Sequence, residues 1–382
     1  MTATQSDAVV VGAVRTPIGV GKPIKGDLSS VHPVDLSAIA IAALVARTGV
    51  DPTLIDDVAW GCVTQSGEQS LNVGRNAALA AGLPESVPGM TIDRQCGSSQ
   101  QAAQIAAAMV TAGHCDVVVA GGVESMSRVP MFSAMQNADA YGSVNDRYNG
   151  TLVPQGISAE MMADRWTLSR SELDELASIS HERADAAQRD GLFDDEIVPV
   201  GGVDRDQGIR PGTTVDTLAR LSTPFKPDGV VTAGNASQIS DGAAALLITS
   251  SETASNLGLT PMARMHSFAT VGVDPVLMLN GPIEATAKVL ERAGLTLADI
   301  GAFEVNEAFA SVLGAWFAET GADRSLTNPL GGAIALGHPM GASGARLATT
   351  LIHHMRRHKI RYGLQTMCEG GGMANATIFE LL

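Results

Sequence analysis

Asp93-Arg-Gln-Cys96-Gly-Ser-Ser99 and Gly331-Gly-Ala-Ile-Ala-Leu-Gly-His338-Pro-Met-Gly-Ala-Ser-Gly344 are the two stretches on which the fold turns. Cys96 and His338 stand 242 residues apart, and each opens a small, apolar, helix-like segment, residues 97–112 and 339–354. At the same offset Asp57-Val-Ala-Trp-Gly61 lines up with Asp299-Ile-Gly-Ala-Phe303. Ahead of each lies a helix-like stretch ending in Arg-x-Gly, residues 38–49 and 282–294. Further on, Val117-Val-Val-Ala-Gly-Gly122 is echoed by Leu364-Gln-Thr-Met-Cys-Glu-Gly-Gly-Gly372. The chain therefore reads as two copies of one unit. In each copy short β-rich runs alternate with longer Ala/Leu-rich runs, the order expected of α/β layering.

The middle of the chain does not repeat. From about residue 128 to 238 it is irregular, polar and rich in Pro and Gly, with one clear charged helix over 169–190. Ser169-Arg-Ser-Glu172 opens that helix with a capping-box pattern, and Gly191 closes it. The segment reads as an insertion into the first copy. Its expected role is to cover a site, because the duplicated halves already supply a core.

Composition narrows the classes. At roughly 150 residues per domain, 382 residues suggest two or three domains. With 45% hydrophobic and 17% charged residues the chain is not a disordered one. A net charge of −15 is opposite in sign to a nucleic-acid binder. The four cysteines, Cys62, Cys96, Cys115 and Cys368, form no disulfide framework and no C-x-x-C pair, so no metal site is expected. Residues 1–7 are polar and lack an apolar signal core, and no apolar run approaches the roughly 20 residues of a membrane span. A cytoplasmic protein with no membrane or nucleic-acid partner is expected.

Three motifs carry chemistry. Cys96 lies between a strand-like run, residues 90–92, and a helix starting near Gly97. A thiolate there gains from the helix dipole and the free N–H groups, a setting that suits a nucleophile. His338 holds the equivalent place in the second copy, with Pro339 suited to the first turn of its helix. Two pseudo-symmetric halves bring both helix starts to one crevice, so a base beside the thiol follows naturally. The glycines around His338 do not have Gly-x-Gly-x-x-Gly spacing after a strand, which argues against a dinucleotide loop. In Met367-Cys368-Glu-Gly-Gly-Gly372 a second thiol precedes bare backbone, as a proton carrier beside N–H donors requires.

Together these segments resemble the thiolase superfamily, whose members make and break carbon–carbon bonds in acyl-CoA thioesters. The resemblance extends over almost the whole chain. It includes Gly12-Ala-Val-Arg-Thr-Pro-Ile18, Gly121-Gly-Val-Glu-Ser-Met-Ser127, Thr232-Ala-Gly-Asn-Ala-Ser237, Asp241-Gly-Ala243, Asn306-Glu-Ala-Phe309, Gly337-His-Pro339 and Cys368. It implies an α/β fold with two duplicated halves in a five-layer α-β-α-β-α core. The halves would be residues 1–127 plus 240–261 and residues 262–382, with an inserted loop or lid domain over 128–239.

The resemblance also implies roles. Cys96 looks like the acyl-accepting nucleophile, His338 like the base that activates it, and Cys368 like the acid/base for the α-carbon of acetyl-CoA. Asn306 resembles the residue that joins His338 in holding the enolate oxygen. The N–H groups of Cys96 and Gly370 match a second oxyanion hole. Ser237 matches a residue near the pantetheine; Arg210, Phe225, Ala233, Met278 and Phe309 match positions along the nucleotide or pantetheine channel. Coenzyme A would be a co-substrate, with no permanently bound cofactor, and the enzyme a homodimer or homotetramer.

Two departures bear on the substrate. Ser99 stands where many relatives have glycine, and Pro154-Gln155 stands where acetoacetyl-forming biosynthetic relatives carry a His-Met pair. The runs Gly61-Cys-Val-Thr-Gln-Ser-Gly-Glu-Gln-Ser70 and 93–101 look most like degradative thiolases of actinobacterial lipid and steroid catabolism. The expected activity is therefore thiolytic cleavage of 3-ketoacyl-CoA, with a short-chain acetyl-CoA acetyltransferase as the alternative. A decarboxylating ketosynthase needs a Cys-His-His or Cys-His-Asn set, which Cys368 and Asn306-Glu-Ala-Phe309 oppose. A silent CoA-binding scaffold is opposed by all three reactive positions being filled. Cys62 and Cys115 read as core residues, and residues 353–361 as a solvated basic helix end. Glu124 and Glu307 lie in motifs but receive no chemical step.

Overall fold

The computed structural model describes residues 7–136 and 138–382; residues 1–6, part of the polar N-terminal stretch noted above, lie outside the described residues. The first half begins with β1 (Val9–Arg15) and the short β2 (Gly19–Val20), followed by α1 (Pro33–Thr48). It continues through β3 (Asp57–Gly61), α2 (Val73–Ala80), β4 (Met90–Ile92), α3 (Ser98–Thr111) and β5 (Val117–Ser125). Four helices follow in the intervening segment: α4 (Ser143–Arg147), α5 (Gln155–Arg165), α6 (Arg170–Arg189) and α7 (Val215–Leu218). Next come β6 (Ser240–Thr249), α8 (Ser251–Leu257), β7 (Ala263–Gly272) and α9 (Gly281–Ala293). The chain ends with β8 (Ala302–Val305), α10 (Ala310–Thr320), α11 (Ala333–Leu336), α12 (Met340–His358), β9 (Tyr362–Glu369) and β10 (Met373–Glu380).

Strand order runs β4-β3-β5-β6-β1-β7-β10-β9-β8, with β2 beside β6. The two copies have one topology. In the first, β3 is parallel to β5, β5 antiparallel to β6, and β6 antiparallel to β1. In the second, β8 is parallel to β9, β9 antiparallel to β10, and β10 antiparallel to β7. A parallel bridge between Phe303 and Thr327 takes the place of β4. The halves meet at β1 and β7, which pair Val9 with Arg264 and Val10 with Ala263.

Helices cover both faces, so the strands are near-continuous apolar runs. α1 and α2 pack outside the first half, α9 and α10 outside the second, and α3 and α12 lie between the halves. That is an α-β-α-β-α order of five layers. Alternation in β1 splits its side chains accordingly: Val9 and Val11 face Leu36, Ile41 and Leu44 outside, while Val10 and Ala13 face the central helices. The central pair is alanine-rich where it packs, at Ala103, Ala106, Ala107, Ala345 and Ala348. Small side chains let two helices fit side by side between two half-sheets.

Local signals set the helix ends. α1 and α9 both close on left-handed glycines, Gly49 at φ +70° and Gly294 at φ +66°. α6 has the expected capping box between Ser169 and Glu172. Pro339 caps α12 rather than sitting in its first turn, and the helix continues to His358 with Arg356 and Arg357 in its last turn. One alignment shifts. The caps Gly49 and Gly294 are offset by 245 residues, not 242, and Asp299 falls in a 3-10 turn, Leu297–Asp299, ahead of β8. The strand equivalent to Asp57–Gly61 therefore begins at Ala302; the second copy has three fewer residues between helix cap and reactive residue.

Candidate active site

The turn that presents Cys96 is built from its neighbours. After β4, Asp93 accepts the Gln95 N–H at 2.7 Å, and Gln95 takes a left-handed φ of +48°. Strain of this kind at a non-glycine residue costs roughly 1–3 kcal/mol and persists only where surroundings impose it. Ser98 Oγ donates to the Gln95 carbonyl at 2.6 Å and accepts from the Arg94 N–H at 2.9 Å. Cys96 is left just before Gly97, the N-cap of α3, and is buried. The backbone N–H groups of Gly370 and of Cys96 itself both act to lower the Cys96 thiol, against burial. Gly370 follows the end of β9, so the strand bearing Cys368 also supplies the donor to Cys96.

His338 lies between α11 and α12. Its N–H donates to the Gln238 carbonyl and to Ser240 Oγ, each at 3.1 Å. Its Nδ1 is 2.6 Å from Ser343 Oγ, and that hydroxyl donates its one proton to the Pro339 carbonyl at 2.9 Å. Ser343 must therefore accept, so Nδ1 carries the ring proton and Nε2 keeps its lone pair. Asn306 Nδ2 stands 3.4 Å from Nε2 as a donor, and Asn306 Oδ1 is buried with no partner. The site thus holds a neutral imidazole whose unprotonated nitrogen accepts from Asn306.

Electrostatics keep the resting site uncharged. Burial, with Arg346 nearby, pushes His338 down to about 3. Burial, followed by the Glu369 charge, pushes Cys96 up to about 12 despite the Gly370 N–H. Cys368 is raised by burial and then by Cys96. The helix start alone would favour a thiolate at Cys96; desolvation outweighs it. Among the described residues no hydrogen bond joins the Cys96 thiol to the His338 ring.

The residues expected along the CoA channel fall into two groups. Met278, Phe309 and Cys368 share one buried apolar cluster with Met162 and Val231. Phe225 meets Phe309 edge-on, ring centroids 6.3 Å apart. Ser237, half-buried, donates its N–H to the Ala308 carbonyl at 2.9 Å. Arg210 is exposed; its Nη2 approaches Gln238 Oε1 at 3.4 Å and its N–H donates to His181 Nδ1 at 3.1 Å. Ala233 is exposed and makes no contact with the reactive cluster among the described hydrogen bonds and apolar clusters.

Several residues escaped sequence reasoning. Ser343 was visible inside the His338 motif, but its bond to Nδ1 needs the helix to be drawn. Gln95 and Gln155 converge on Gly370: a Cβ there would stand 2.9 Å from Gln95 Oε1 and 3.3 Å from Gln155 Nε2. Gln155 is the first residue of α5, so the segment after β5 reaches the site at the position of the missing His-Met pair.

Glu124 and Glu307 now have a role, and it is structural. Glu124 accepts from the N–H groups of Val63, Thr64 and Gly341 and from Gln69 Nε2, tying the loop after β3 to the start of α12. Glu307 accepts from Ser180 Oγ, Asn328 Nδ2 and the Ile334 N–H, tying α6 to the segment that precedes His338. Glu124→Ala leaves the Val63, Thr64 and Gly341 N–H groups without this acceptor, and we expect it to lower unfolding free energy by about 3 kcal/mol. Urea unfolding checks this; a loss below roughly 0.5 kcal/mol, the scale of an ordinary surface change, would exclude Glu124 as a pin.

Comparison with known proteins bears on this geometry. Residues 8–252 match the family model described as thiolase, N-terminal domain, and residues 259–381 the thiolase, C-terminal domain. A steroid 3-ketoacyl-CoA thiolase, FadA6 of Mycobacterium tuberculosis, is 46% identical, with 100% of this chain and 95% of that protein covered. A 3-ketoacyl-CoA thiolase of Bacillus subtilis is 43% identical, over 98% of this chain and 99% of its own. Among solved structures, the crystal structure of the Bacillus anthracis acetyl-CoA acetyltransferase superposes with a TM-score of 0.90. It is 37% identical, and 99% of each chain is covered.

Proposed function

The chain belongs to the thiolase family, and from that premise we propose that it cleaves 3-ketoacyl-CoA with coenzyme A, giving acetyl-CoA and an acyl-CoA two carbons shorter. Three observations support this reading: Cys96 acts electrostatically on Cys368, Met340 two residues past His338 packs in one buried cluster with Cys96, and Asn306 Nδ2 meets the His338 ring at 3.4 Å. Coenzyme A serves as co-substrate, and no resident cofactor takes part.

In the proposed sequence His338 Nε2 takes the Cys96 proton as sulfur attacks the 3-keto carbon. The Cys96 and Gly370 N–H groups stabilise the oxyanion that forms. The C2–C3 bond then breaks, its electron pair passing to C2 as the enolate of acetyl-CoA. Asn306 and His338 hold the enolate oxygen while the Cys368 thiol protonates C2. The thiol of incoming CoA returns a proton to Cys368 and attacks the acyl-Cys96 thioester, releasing the shortened acyl-CoA while the Cys96 sulfur takes back the proton held by His338. Met278, Phe309, Phe225 and Ser237 would line the pantetheine path, with Arg210 and Ala233 at its outer end. Residues 128–239 would form the lid, against core halves of 1–127 plus 240–261 and 262–382. The enzyme would work as a homodimer or homotetramer in the reducing cytoplasm, where its four free cysteines stay reduced.

Gln155 and Pro154, in place of the biosynthetic His-Met pair, favour medium or bulky acyl groups over acetoacetyl-CoA. Each methylene held in an apolar pocket adds roughly 1–3 kcal/mol of discrimination. A matched acyl chain should therefore exceed acetoacetyl-CoA by at least about tenfold in kcat/KM. The measurement is thiolysis across chain lengths, with a steroid-type thioester included, at one CoA concentration. Should acetoacetyl-CoA be the best substrate and longer or steroid-type thioesters be inert, the chain is instead a short-chain acetyltransferase.

A further inference from the structure

Glu369 follows Cys368 at the end of β9 and is wholly buried, yet neither carboxyl oxygen has a hydrogen-bond partner. A bare buried carboxyl is costly and calls for an explanation. Its position gives one. A Cβ on Gly97 would overlap Glu369 Oε1, so the carboxyl lies directly against the backbone next to Cys96. A larger residue than glycine at 97 would displace it. Asn375, on β10, fills the other side: its Nδ2 donates to the Gly97 carbonyl at 3.2 Å, while its Oδ1 has no partner.

We infer that Glu369 is a positioning residue for the two thiols. Its carboxyl, set between the Cys96 turn and the Cys368 strand, governs how readily either thiol gives up its proton. Uncharged, it lets a thiolate develop during attack; ionised, it places a like charge beside both sulfurs.

The surroundings favour the uncharged form. Burial, with Asp93 adding to it, raises the Glu369 carboxyl to about 8, against a pull downward from Arg94. Among the described residues Arg94 forms no ion pair with it; its Nη1 is directed to Met373 Sδ at 3.8 Å. The charged and titratable groups around it are Asp93 and Arg94 on the nucleophile turn, Cys96 beside Gly97, and Cys368 on its own strand. β10 presents only the neutral Met373 and Asn375. Glu369 is the first charge, after burial, that raises Cys96, ahead of Glu124; it also raises Cys368. As pH rises through its titration the carboxyl becomes an anion, and thiolate formation is opposed where alkalinity would otherwise promote it.

The inference takes the Cys96–Cys368 pair from the proposed function, but its test does not need a substrate. Alkylation of the intact enzyme by neutral iodoacetamide, read at the Cys96 peptide by mass, reports thiolate at that sulfur. In the parent enzyme the logarithm of the rate should rise with unit slope below pH 8 and flatten above it. In Glu369→Gln the flattening disappears. The ratio of rates at pH 9 and pH 6.5 then grows about tenfold over the parent ratio, the effect of removing one nearby like charge. A structural loss alone would shift all rates without changing that ratio. If Glu369→Gln does not fold, the parent profile decides: unit slope maintained to pH 10 overturns the inference, as does a variant with the parent ratio. The expected ratio in an enzyme that cleaves no 3-ketoacyl-CoA would leave this inference standing and sink the proposed function.

Discussion

Cys96→Ala should lower thiolysis by on the order of 10⁴-fold or more and abolish acyl-enzyme formation. Cys96 sits just before the N-cap of α3, and the backbone N–H groups of Gly370 and of Cys96 itself favour its thiolate. Alanine fits this buried position without adding volume, so the loss reports chemistry rather than folding. Incubation of the parent enzyme with acyl-CoA, followed by digestion and mass mapping, should find the thioester on the Cys96 peptide. A label confined to Cys368 would exchange the two roles, and activity in the variant within tenfold of the parent would remove Cys96 from the reaction.

Cys368→Ala separates the two half-reactions. The variant should still accept an acyl group at Cys96, because His338 Nε2, the Gly370 N–H and the Cys96 turn are untouched. It should fail at exchanging the α-proton of acetyl-CoA, with a loss of about 10²–10⁴-fold, the usual effect of deleting a general acid/base. Cys368 lies in the apolar cluster with Met278 and Phe309, and the Cys96 charge is the main influence on it after burial. Deuterium incorporation into acetyl-CoA at the parent rate would show that another group carries that proton. Loss of acylation along with exchange would mean that the thiol holds the site together rather than moving a proton.

Much of the architecture was legible because its signals are local. Ser169 and Glu172 cap α6, and the glycines at 49 and 294 close α1 and α9, using atoms within a few residues of each other. The equivalence of Cys96 and His338 held because both precede a long central helix. The equivalence of Asp57 and Asp299 did not hold. A strand's identity depends on what it pairs with, and β8 is defined by its register with β9, not by an Asp at its start.

The sequence by itself determined the duplication, the caps of α1, α6 and α9 and the residue types of the three motifs, since these follow from spacing, caps and patterning along the chain. The tertiary structure alone decided the charge states and the supporting bonds. Ser343 sets the His338 tautomer, Glu124 ties the loop after β3 to α12, Glu307 ties α6 to the segment before His338, and Glu369 stands unpartnered against Gly97. The physical reason is that desolvation depends on everything packed around a group, much of it distant in sequence. A thiol that a helix start would have lowered is raised instead to about 12, and an imidazole ordinarily near neutrality is pressed down to about 3.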